Sequence, residues 1–474
     1  MISDPESLMN ETIAGNSTNN TIQGWVSSPN ERGTLDIVWS CALTIFLCCW
    51  TSVYPNIPAI GDGQWDRFRD KFELAALGML GPEFLFALAL GQWQSARRSV
   101  NKFKRFKTAE RSEWTIKHAF FADMGGFFLK APNFPAFPID ADQLYYLISK
   151  GYVEYPEIAK DVLSEKNKVD GLSRAITLIQ GLWFTITSVA RVIQHLEITT
   201  LELTTLSFIF CMLVTSYCWR HKPGDVERPI ILKTNTSIAD ILIKAGDAAR
   251  IPYRRTPLDF VNREEWCISL LWAYYVQILR SMNLSFCSRT IKGRPLNRMP
   301  SINWPPLTLS ATLWYGLVTL IYSSIFLLAW NLQFPTATEK LLWHIAAIVT
   351  IAFPVAVWPF ECYIDRNHSV RNQPPRRKDS KDHDCEALPQ YPYLSKRHSG
   401  PKPTKGFAGK LRNNSPDKDP QMGVELRALI PATILCAAYT LARVYFLTED
   451  LIGLRSLPPS VFRTVEWMDL IPHI

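Results

Sequence analysis

Glu83 stands in the middle of an apolar stretch, Phe72–Trp93, with the sequence FELAALGMLGPEFLFALALGQW. An ionised side chain at the centre of a membrane-spanning helix costs about 2.5–3.5 kcal/mol on insertion scales, so such a residue is a candidate for function. Pro82 lies beside it and would leave the carbonyl of Gly78 without its helical donor, which opens a polar pocket. The functional hypothesis is a proton or cation site on a transport path. The structural alternative is a protonated glutamic acid bonded to a neighbouring helix.

A second set of ionisable residues lies in the sequence ARVIQHLEITTLEL. Arg191 and His195 are one helical turn apart and share a helix face. Glu202 begins the next apolar segment after a short connection that also holds Glu197. These groups are therefore expected near one membrane surface. They could line a polar site at the mouth of a helix bundle, with Arg191, His195 and Glu202 as catalytic candidates, or form a salt-bridged cap on a helical hairpin.

A third pair, His118 and Asp123, lies in the stretch WTIKHAFFADMGGFFLKAP (Trp114–Pro132). Residues five apart are separated by about 140° around a helix, whereas metal-binding helices use spacings of three or four. A run of lysine and arginine precedes the stretch, and this pattern predicts an interfacial segment with basic residues at lipid headgroups and aromatic rings just below. His118 and Asp123 are kept as reserve catalytic candidates. The aromatic rings of this prediction are Phe120, Phe121, Phe127 and Phe128.

The motifs of the commonest membrane enzymes are absent from the sequence. It contains no Walker, GxGxxG, GxSxG, HExxH or DDxxD pattern, and its ten cysteines form no CxxC pair. No cofactor and no metal site is evident. The formal charge of +8 comes mostly from residues beside apolar segments. The expected partners are therefore the lipid bilayer and its anionic headgroups, with a lipophilic small molecule under an enzyme hypothesis, and not nucleic acid.

Seven apolar segments approach the ~20 residues that cross a bilayer as a helix. They are Asp36–Tyr54, Phe72–Trp93, Ile176–Gln194, Thr200–Trp219, Leu307–Trp330, Leu341–Phe360 and Ala428–Leu447. An eighth segment, Trp266–Leu279, is shorter and closely flanked by charges, so an interfacial or buried helix is predicted there. The sequence predicts an all-α integral membrane protein of about seven transmembrane helices, with cytosolic helical modules and a disordered linker.

The segments between these spans divide the chain. The predicted order is a flexible leader (1–35), a transmembrane pair (36–93), a basic interfacial segment with a small cytosolic module (94–175), a transmembrane hairpin (176–219), a cytosolic or interfacial segment (220–306), a second hairpin (307–360), a disordered basic linker (361–425), and a last transmembrane helix with a C-terminal tail (426–474). Within the module, Ala141–Lys150 has an amphipathic pattern that predicts a helix ending at Gly151.

Two signals disagree about orientation. The sequence after the second span, QWQSARRSVNKFKRFKTAERSEWTIK, holds eight Lys or Arg against two Glu. The positive-inside rule places it in the cytosol, which predicts a cytosolic N-terminus and a C-terminus on the far side. Three glycosylation sequons, at Asn10, Asn16 and Asn19, would instead place the leader in a lumen. That arrangement requires a re-entrant break in an early segment, for which Gly81-Pro82-Glu83 is the natural place. We expect the charge pattern to decide, and an endomembrane such as the endoplasmic reticulum to hold the protein.

Several phrases of the chain are similar to one group of sequences. They are GWVSSPNERGTLDIVWSC, HAFFADMGGF, KVDGLSRAITLIQGLWF, ARVIQHLEITTLELTTLSF, KPGDVERPI and SLPPSVFRTVEWMDLIPHI. Together they resemble predicted multi-pass integral membrane proteins of filamentous fungi, over most of the chain outside the first 23 residues and the linker. The resemblance implies class and source, and no activity.

Three hypotheses about function follow. The first is a membrane-embedded enzyme or accessory factor that acts on a lipophilic substrate in fungal specialised metabolism, and it requires a closed lipophilic pocket. The second is a transporter, channel or sensor that uses Glu83, and it requires a polar path past that residue. The third is a membrane scaffold without a ligand, which requires neither.

Overall fold

The computed structural model describes twelve stretches of the chain. They are residues 21–27, 32–106, 113–132, 134–156, 168–224, 226, 228–249, 253, 255–262, 267–282, 293–371 and 426–467. The predicted linker beyond Arg371 and the sequons at Asn10, Asn16 and Asn19 lie outside these residues.

Helices dominate the described part of the chain. The α-helices are α1 (Thr34–Thr51), α2 (Gln64–Leu80), α3 (Pro82–Phe103), α4 (Ile116–Asp123), α5 (Ala141–Ser149), α6 (Lys168–Ile193), α7 (Thr200–Cys218), α8 (Ile238–Ala245), α9 (Cys267–Ser281), α10 (Leu309–Ile325), α11 (Ala337–Arg371) and α12 (Leu426–Ile452). The strands are β1 (Ile22–Gln23), β2 (Phe127–Lys130), β3 (Phe137–Ile139), β4 (Ile230–Lys233) and β5 (Ser456–Leu457).

Six helices are long and apolar enough to cross a membrane, namely α1, α6, α7, α10, α11 and α12. A seventh candidate exists if the bent pair α2–α3 is one span. The prediction of a mainly helical protein with six to seven apolar helices of membrane-spanning length is confirmed. The eighth apolar segment forms α9, which is not among the candidate spans of the described chain. Helix α11 continues to Arg371, so the predicted linker begins later than residue 361.

The second predicted span, Phe72–Trp93, is not one straight helix. The chain bends by 120° between α2 and α3. Pro82 begins α3 and has no backbone N–H to continue the ladder of α2, so the helix ends before it. Gly81 forms the corner, and a Cβ there would lie 2.6 Å from the ring of Phe84. The corner therefore needs a glycine followed by a proline.

Both ends of the α2–α3 pair return to the same end of the helix bundle. Before α2, the backbone N–H of Ile57 donates to the carbonyl of Met124 at 3.1 Å. Near the end of α3, Lys102 pairs with Asp142 at 2.6 Å. Met124 and Asp142 belong to one small folded unit, so the pair enters the bundle and comes back. We call it the re-entrant hairpin, with its tip at Gly81-Pro82.

That folded unit contains a sheet, which corrects the all-α prediction. Strands β2 and β3 are antiparallel, whereas β2 and β4 are parallel, in the order β3-β2-β4. The pairing of Phe127 with Ile230 joins two segments that the sequence analysis treated separately, 94–175 and 220–306. We call the sheet with α4, α5 and α8 the α/β module. Helix α5 ends where predicted, with Gly151 in the left-handed region at φ 71°.

The predicted interfacial phenylalanines lie in the core of the α/β module, so their predicted position below headgroups is wrong. All four are buried: Phe120, Phe121, Phe127 and Phe128. Phe121 packs edge-on against Phe127 at 5.2 Å. Gly126 is required because a Cβ at this position would lie 2.4 Å from the Phe121 ring. Gly126 is therefore needed for the packing of this core.

The two described termini meet at the other end of the bundle. Strand β1 pairs with β5 in antiparallel register, with Ile22 opposite Leu457. We call this the terminal end and the opposite one the module end. The predicted arrangement, with the termini on opposite sides, is therefore wrong. The physical reason is the bent pair α2–α3, because six helices are long and apolar enough to span a membrane without it, an even number.

Candidate functional site

Glu83 lies at the tip of the re-entrant hairpin and is buried, with 5% of its surface exposed. It occupies the first turn of α3, where the helix dipole favours negative charge. The hydroxyl of Tyr439, on α12, donates a hydrogen bond to its Oε1. One turn further along α12, Arg443 donates from Nε to the carbonyl of Leu80 at 3.1 Å. Helix α12 therefore holds the hairpin tip through two polar side chains.

Arg443 is fully buried at 0% exposure, yet most of its donors are unused. Neither Nη1 nor Nη2 has a hydrogen-bond partner among the described residues. Its Cζ lies 5.5 Å from the ring centres of Phe208 and Phe326, and 5.8 Å from that of Tyr322. Buried polar groups are almost always hydrogen-bonded, to water where protein does not reach them. The surroundings of this guanidinium therefore suit water or an ion.

Asp450 continues the polar groups along α12, two turns or about 10 Å beyond Arg443. It is buried and faces the hydroxyls of Thr200 and Thr204 on α7. Its two carboxylate oxygens form no hydrogen bond of normal geometry with the described residues, and neither does Thr204 Oγ1. The Tyr322 hydroxyl, which faces Glu83, also forms no hydrogen bond of normal geometry with the described residues. We call this group the polar column; it consists of Glu83, Tyr322, Tyr439, Arg443, Thr204 and Asp450.

The column reaches a small cavity at the terminal end. The cavity has a volume of about 20 Å³, room for a water molecule, and Thr200, Glu449 and Gly453 help to line it. Glu449 Oε1 has no partner among the described residues, and it lies 3.5 Å from where a Cβ of Gly453 would be. In the opposite direction α3 buries an apolar layer of Leu85, Phe86 and Leu88. Polar groups therefore continue toward the terminal end, whereas buried apolar side chains separate the column from the module end.

The charges of this region do not balance if every group is ionised. One guanidinium, Arg443, stands among three buried carboxyl groups, those of Glu83, Glu449 and Asp450. Arg455 pairs with Glu339 at 2.5 Å beside the cavity and adds no net charge. Burying an ionised carboxylate without a partner is very costly, so a carboxyl group in this position binds a proton instead. Some of these carboxyl groups are therefore expected to be neutral.

The candidates Arg191, His195 and Glu202 do not form a pocket in the described structure. Arg191 is buried and donates to the carbonyls of Glu197, Ser460, Val461 and Arg463 at 2.8–3.2 Å. It therefore fastens the C-terminal tail to the hairpin of α6 and α7.

Glu202 and His195 have separate roles at the same end. Glu202 caps α7 by accepting from the Thr199 backbone at 2.9 Å, and it pairs with Arg32 at 2.5 Å. His195 is exposed and occupies a left-handed turn at φ 55°. These contacts match the structural alternative, a capped hairpin, with the N-terminal segment and the tail as additional partners.

His118 and Asp123 lie at opposite ends of α4. His118 Nδ1 contacts Thr115 Oγ1 at 2.7 Å and closes the first turn of the helix. Asp123 Oδ1 accepts from the backbone N–H of Ala141 at 3.2 Å, at the start of α5. The described contacts make them helix caps of the α/β module. Among the described residues, no three His, Cys, Asp or Glu side chains are grouped to hold a metal ion.

Asp123 and its neighbour Asp140 make the stability of the α/β module depend on pH. Burial raises the pKa of Asp123 to about 6, and burial together with the Asp123 charge raises the pKa of Asp140 to about 7. Both values lie above the ordinary aspartate pKa of about 3.9. The stabilisation from these two protonated groups is therefore complete below a pH of about 3.9, and it is lost as the pH rises through about 6 and 7. We expect the melting temperature to fall between pH 4 and pH 7.

Asp123→Asn should flatten this dependence, because asparagine keeps the acceptor for Ala141 without titrating. Differential scanning fluorimetry across that pH range measures it. Glu154→Gln is the matched control, since Glu154 is an exposed carboxylate that follows helix α5. An equal slope in wild type and Asp123→Asn would contradict the assignment.

The sequence analysis missed most of the polar column. Arg443 and Asp450 follow the same rule as Glu83, because both are ionisable residues in or beside an apolar segment. The stretch LARVYFLTED, Leu441–Asp450, held the signal. The contributions of Tyr322 and Thr204 depend on packing between distant helices, which no local pattern shows.

Comparison with known protein families finds a match to the sequence of this chain. The profile of one protein family, described as a family of unknown function (DUF8562), matches residues 7–245, just over half of the chain. The chain belongs to this family. The DUF8562 region contributes Glu83 and Thr204 to the polar column, whereas Tyr322, Tyr439, Arg443 and Asp450 lie beyond it. No curated protein and no solved structure matches the chain.

Proposed function

We propose that the protein is a multi-pass integral membrane protein with six crossing helices and one re-entrant hairpin. Large apolar side chains face outward along the bundle, among them Leu309, Trp314 and Leu441, which are 70%, 63% and 70% exposed. Such a surface is unfavourable in water and suits lipid. The non-helical corner at Gly81 is buried inside the protein, as irregular backbone at membrane depth must be.

The charge pattern supports a cytosolic module end. The segment after the hairpin is strongly basic, and the positive-inside rule places it in the cytosol. The pairing of β1 with β5 then supports a terminal end that faces a lumen or the cell exterior. With a re-entrant hairpin, the basic segment and the three sequons of the leader, which conflict in the sequence, agree on one orientation.

This orientation predicts that the leader is glycosylated at Asn10, Asn16 or Asn19. Glycosidase treatment of the protein expressed in a eukaryotic host should increase its mobility, and the triple Asn→Gln variant should migrate as the treated form. An N-terminal epitope should resist protease in intact microsomes. Digestion of that epitope before detergent is added would contradict the orientation.

The enzyme hypothesis finds no support in the described residues. It calls for a pocket lined by Arg191, His195 and Glu202, to which His118 could be added. His118 caps a helix of the α/β module, whereas Arg191 and Glu202 serve the terminal end. Helix α7 alone separates these two ends by nearly 30 Å at 1.5 Å per residue.

The geometry supports proton transport best, and the carrying observation is the buried Arg443 with unused donors beside Glu83. In the proposed step the O–H bond of the Glu83 carboxyl breaks, and the proton passes through water in the column to the Asp450 carboxylate and the terminal cavity. The carboxylate left on Glu83 is stabilised by Arg443 and by the Tyr439 hydroxyl. Access from the cytosol requires α3 to move its apolar layer, for which the corner at Gly81-Pro82 is a hinge.

Proteoliposomes test this function. Vesicles with a pH-sensitive dye inside, a potassium gradient and valinomycin develop an inside-negative potential that draws protons inward. Vesicles with folded protein should acidify faster than vesicles with heat-unfolded protein. Equal rates in the two preparations would overturn the proposal.

A further inference from the structure

A contiguous surface of aromatic and basic side chains lies at the module end, where α3 and α7 leave the bundle. Arg97 Cζ lies 4.7 Å from the ring centre of Trp93, and Arg220 Cζ lies 4.1 Å from that of Tyr217. The two rings are 6.4 Å apart. The four side chains therefore form one strip, which we call the basic–aromatic strip.

The strip is accessible, and one of its guanidinium groups is held in a fixed position. Arg97, Arg220 and Tyr217 are exposed, the last at 58%. Arg220 Nη1 donates to the Tyr217 carbonyl at 3.0 Å, which fixes the guanidinium above the ring. A planar guanidinium held in this way is pre-organised to bind an anion.

The local potential is positive. Burial and the charges of Arg220, Lys117 and Arg174 lower the pKa of His221, next to the strip. A third pair at the same end, Lys71 above the Trp50 ring at 5.1 Å, repeats the pattern on α1 and α2. Aromatic rings with nearby lysine or arginine mark the headgroup level of a membrane.

We propose that the basic–aromatic strip binds the phosphate headgroup of an anionic phospholipid in the cytosolic leaflet. Arg97 and Arg220 bind the phosphate through charge-assisted hydrogen bonds, while Trp93 and Tyr217 contact the glycerol region. This inference rests on the proposed membrane insertion and not on proton transport, so a protein without proton flux can still pass its test.

Binding is measured on the full chain in neutral detergent, by calorimetry with dioctanoyl phosphatidylserine, dioctanoyl phosphatidylcholine and inorganic phosphate. Phosphatidylserine should bind more tightly than the other two, and R97Q/R220Q should weaken its binding roughly tenfold or more. The matched control R455Q/R463Q removes two exposed arginines at the terminal end and should bind as wild type.

Three results would overturn the proposal. The first is equal binding of phosphatidylcholine. The second is inorganic phosphate binding as tightly as phosphatidylserine, which would indicate a soluble anion. The third is unchanged phosphatidylserine binding in R97Q/R220Q. The melting temperature of each variant without lipid shows that it is folded, and both changed side chains are exposed.

Discussion

Glu83→Gln is expected to lower the protein-dependent proton flux about a hundredfold or more, the scale on which positioned proton-transfer groups act. Glutamine has the size of glutamic acid and can still accept the hydrogen bond from Tyr439, so the hairpin tip keeps its packing. It has no carboxyl group to bind and release a proton. The measurement is dye-reported acidification of proteoliposomes at equal protein content.

Two variants make this result specific. Glu466→Gln changes an exposed carboxylate at the terminal end and should leave the flux unchanged. Glu83→Asp keeps a titratable group and should retain part of the flux. A Glu83→Gln protein with flux within a factor of two of the wild type would contradict the role of Glu83.

Arg443→Leu should destabilise the protein by about 1–3 kcal/mol, the usual cost of leaving a buried hydrogen-bond acceptor without its donor. The substitution leaves the Leu80 carbonyl without its donor and removes a buried cation that stands among three buried carboxyl groups. Adding Glu83→Gln to Arg443→Leu should recover much of the loss, because the neutral amide no longer needs a counter-charge. Denaturant titration in detergent, followed by tryptophan fluorescence, gives the free energies.

Arg455→Leu is the matched control for this prediction. Arg455 lies on the same segment but is 44% exposed in its pair with Glu339. Exposed ion pairs contribute about 0–1 kcal/mol, so its loss should be small. Equal destabilisation by the two substitutions, or no recovery in the double variant, would show that Arg443 does not serve the buried carboxyl groups.

The candidate membrane-spanning helices could be predicted from the sequence because apolar length alone identifies them. The segments that form α1, α6, α7, α10, α11 and α12 all stand out by this criterion. The corner at Gly81-Pro82 could also be located, because proline ends the helix before it. Whether the chain crosses or returns depends on contacts with the α/β module, such as Ile57 with Met124, and no local pattern holds that information.

The α/β module could not be predicted for a related reason. Its strands are three or four residues long, too short for a clear alternation. The parallel pairing of Phe127 with Ile230 joins positions separated by two candidate spans, α6 and α7. Aromatic residues beside basic ones resemble a membrane interface, and only burial shows that they form a core.

The candidate site was predictable only in part. Glu83 is identifiable because it interrupts an apolar segment, and Arg443 has the same property. Arg191 is also recognisable, but its role depends on the tail carbonyls of Ser460, Val461 and Arg463, which are distant in sequence. Local patterns indicate which residues are costly to bury, and the tertiary contacts decide what each of them does.

The central claim is that Glu83 exchanges a proton with water inside the bundle, and infrared difference spectroscopy measures this directly. Reconstituted protein is recorded while the pH of the perfusing buffer is stepped. The wild type should show a protonated-carboxyl C=O band that titrates, that is missing in Glu83→Gln, and that persists in Glu466→Gln. A titrating carboxyl spectrum that is identical in wild type and Glu83→Gln would contradict the claim.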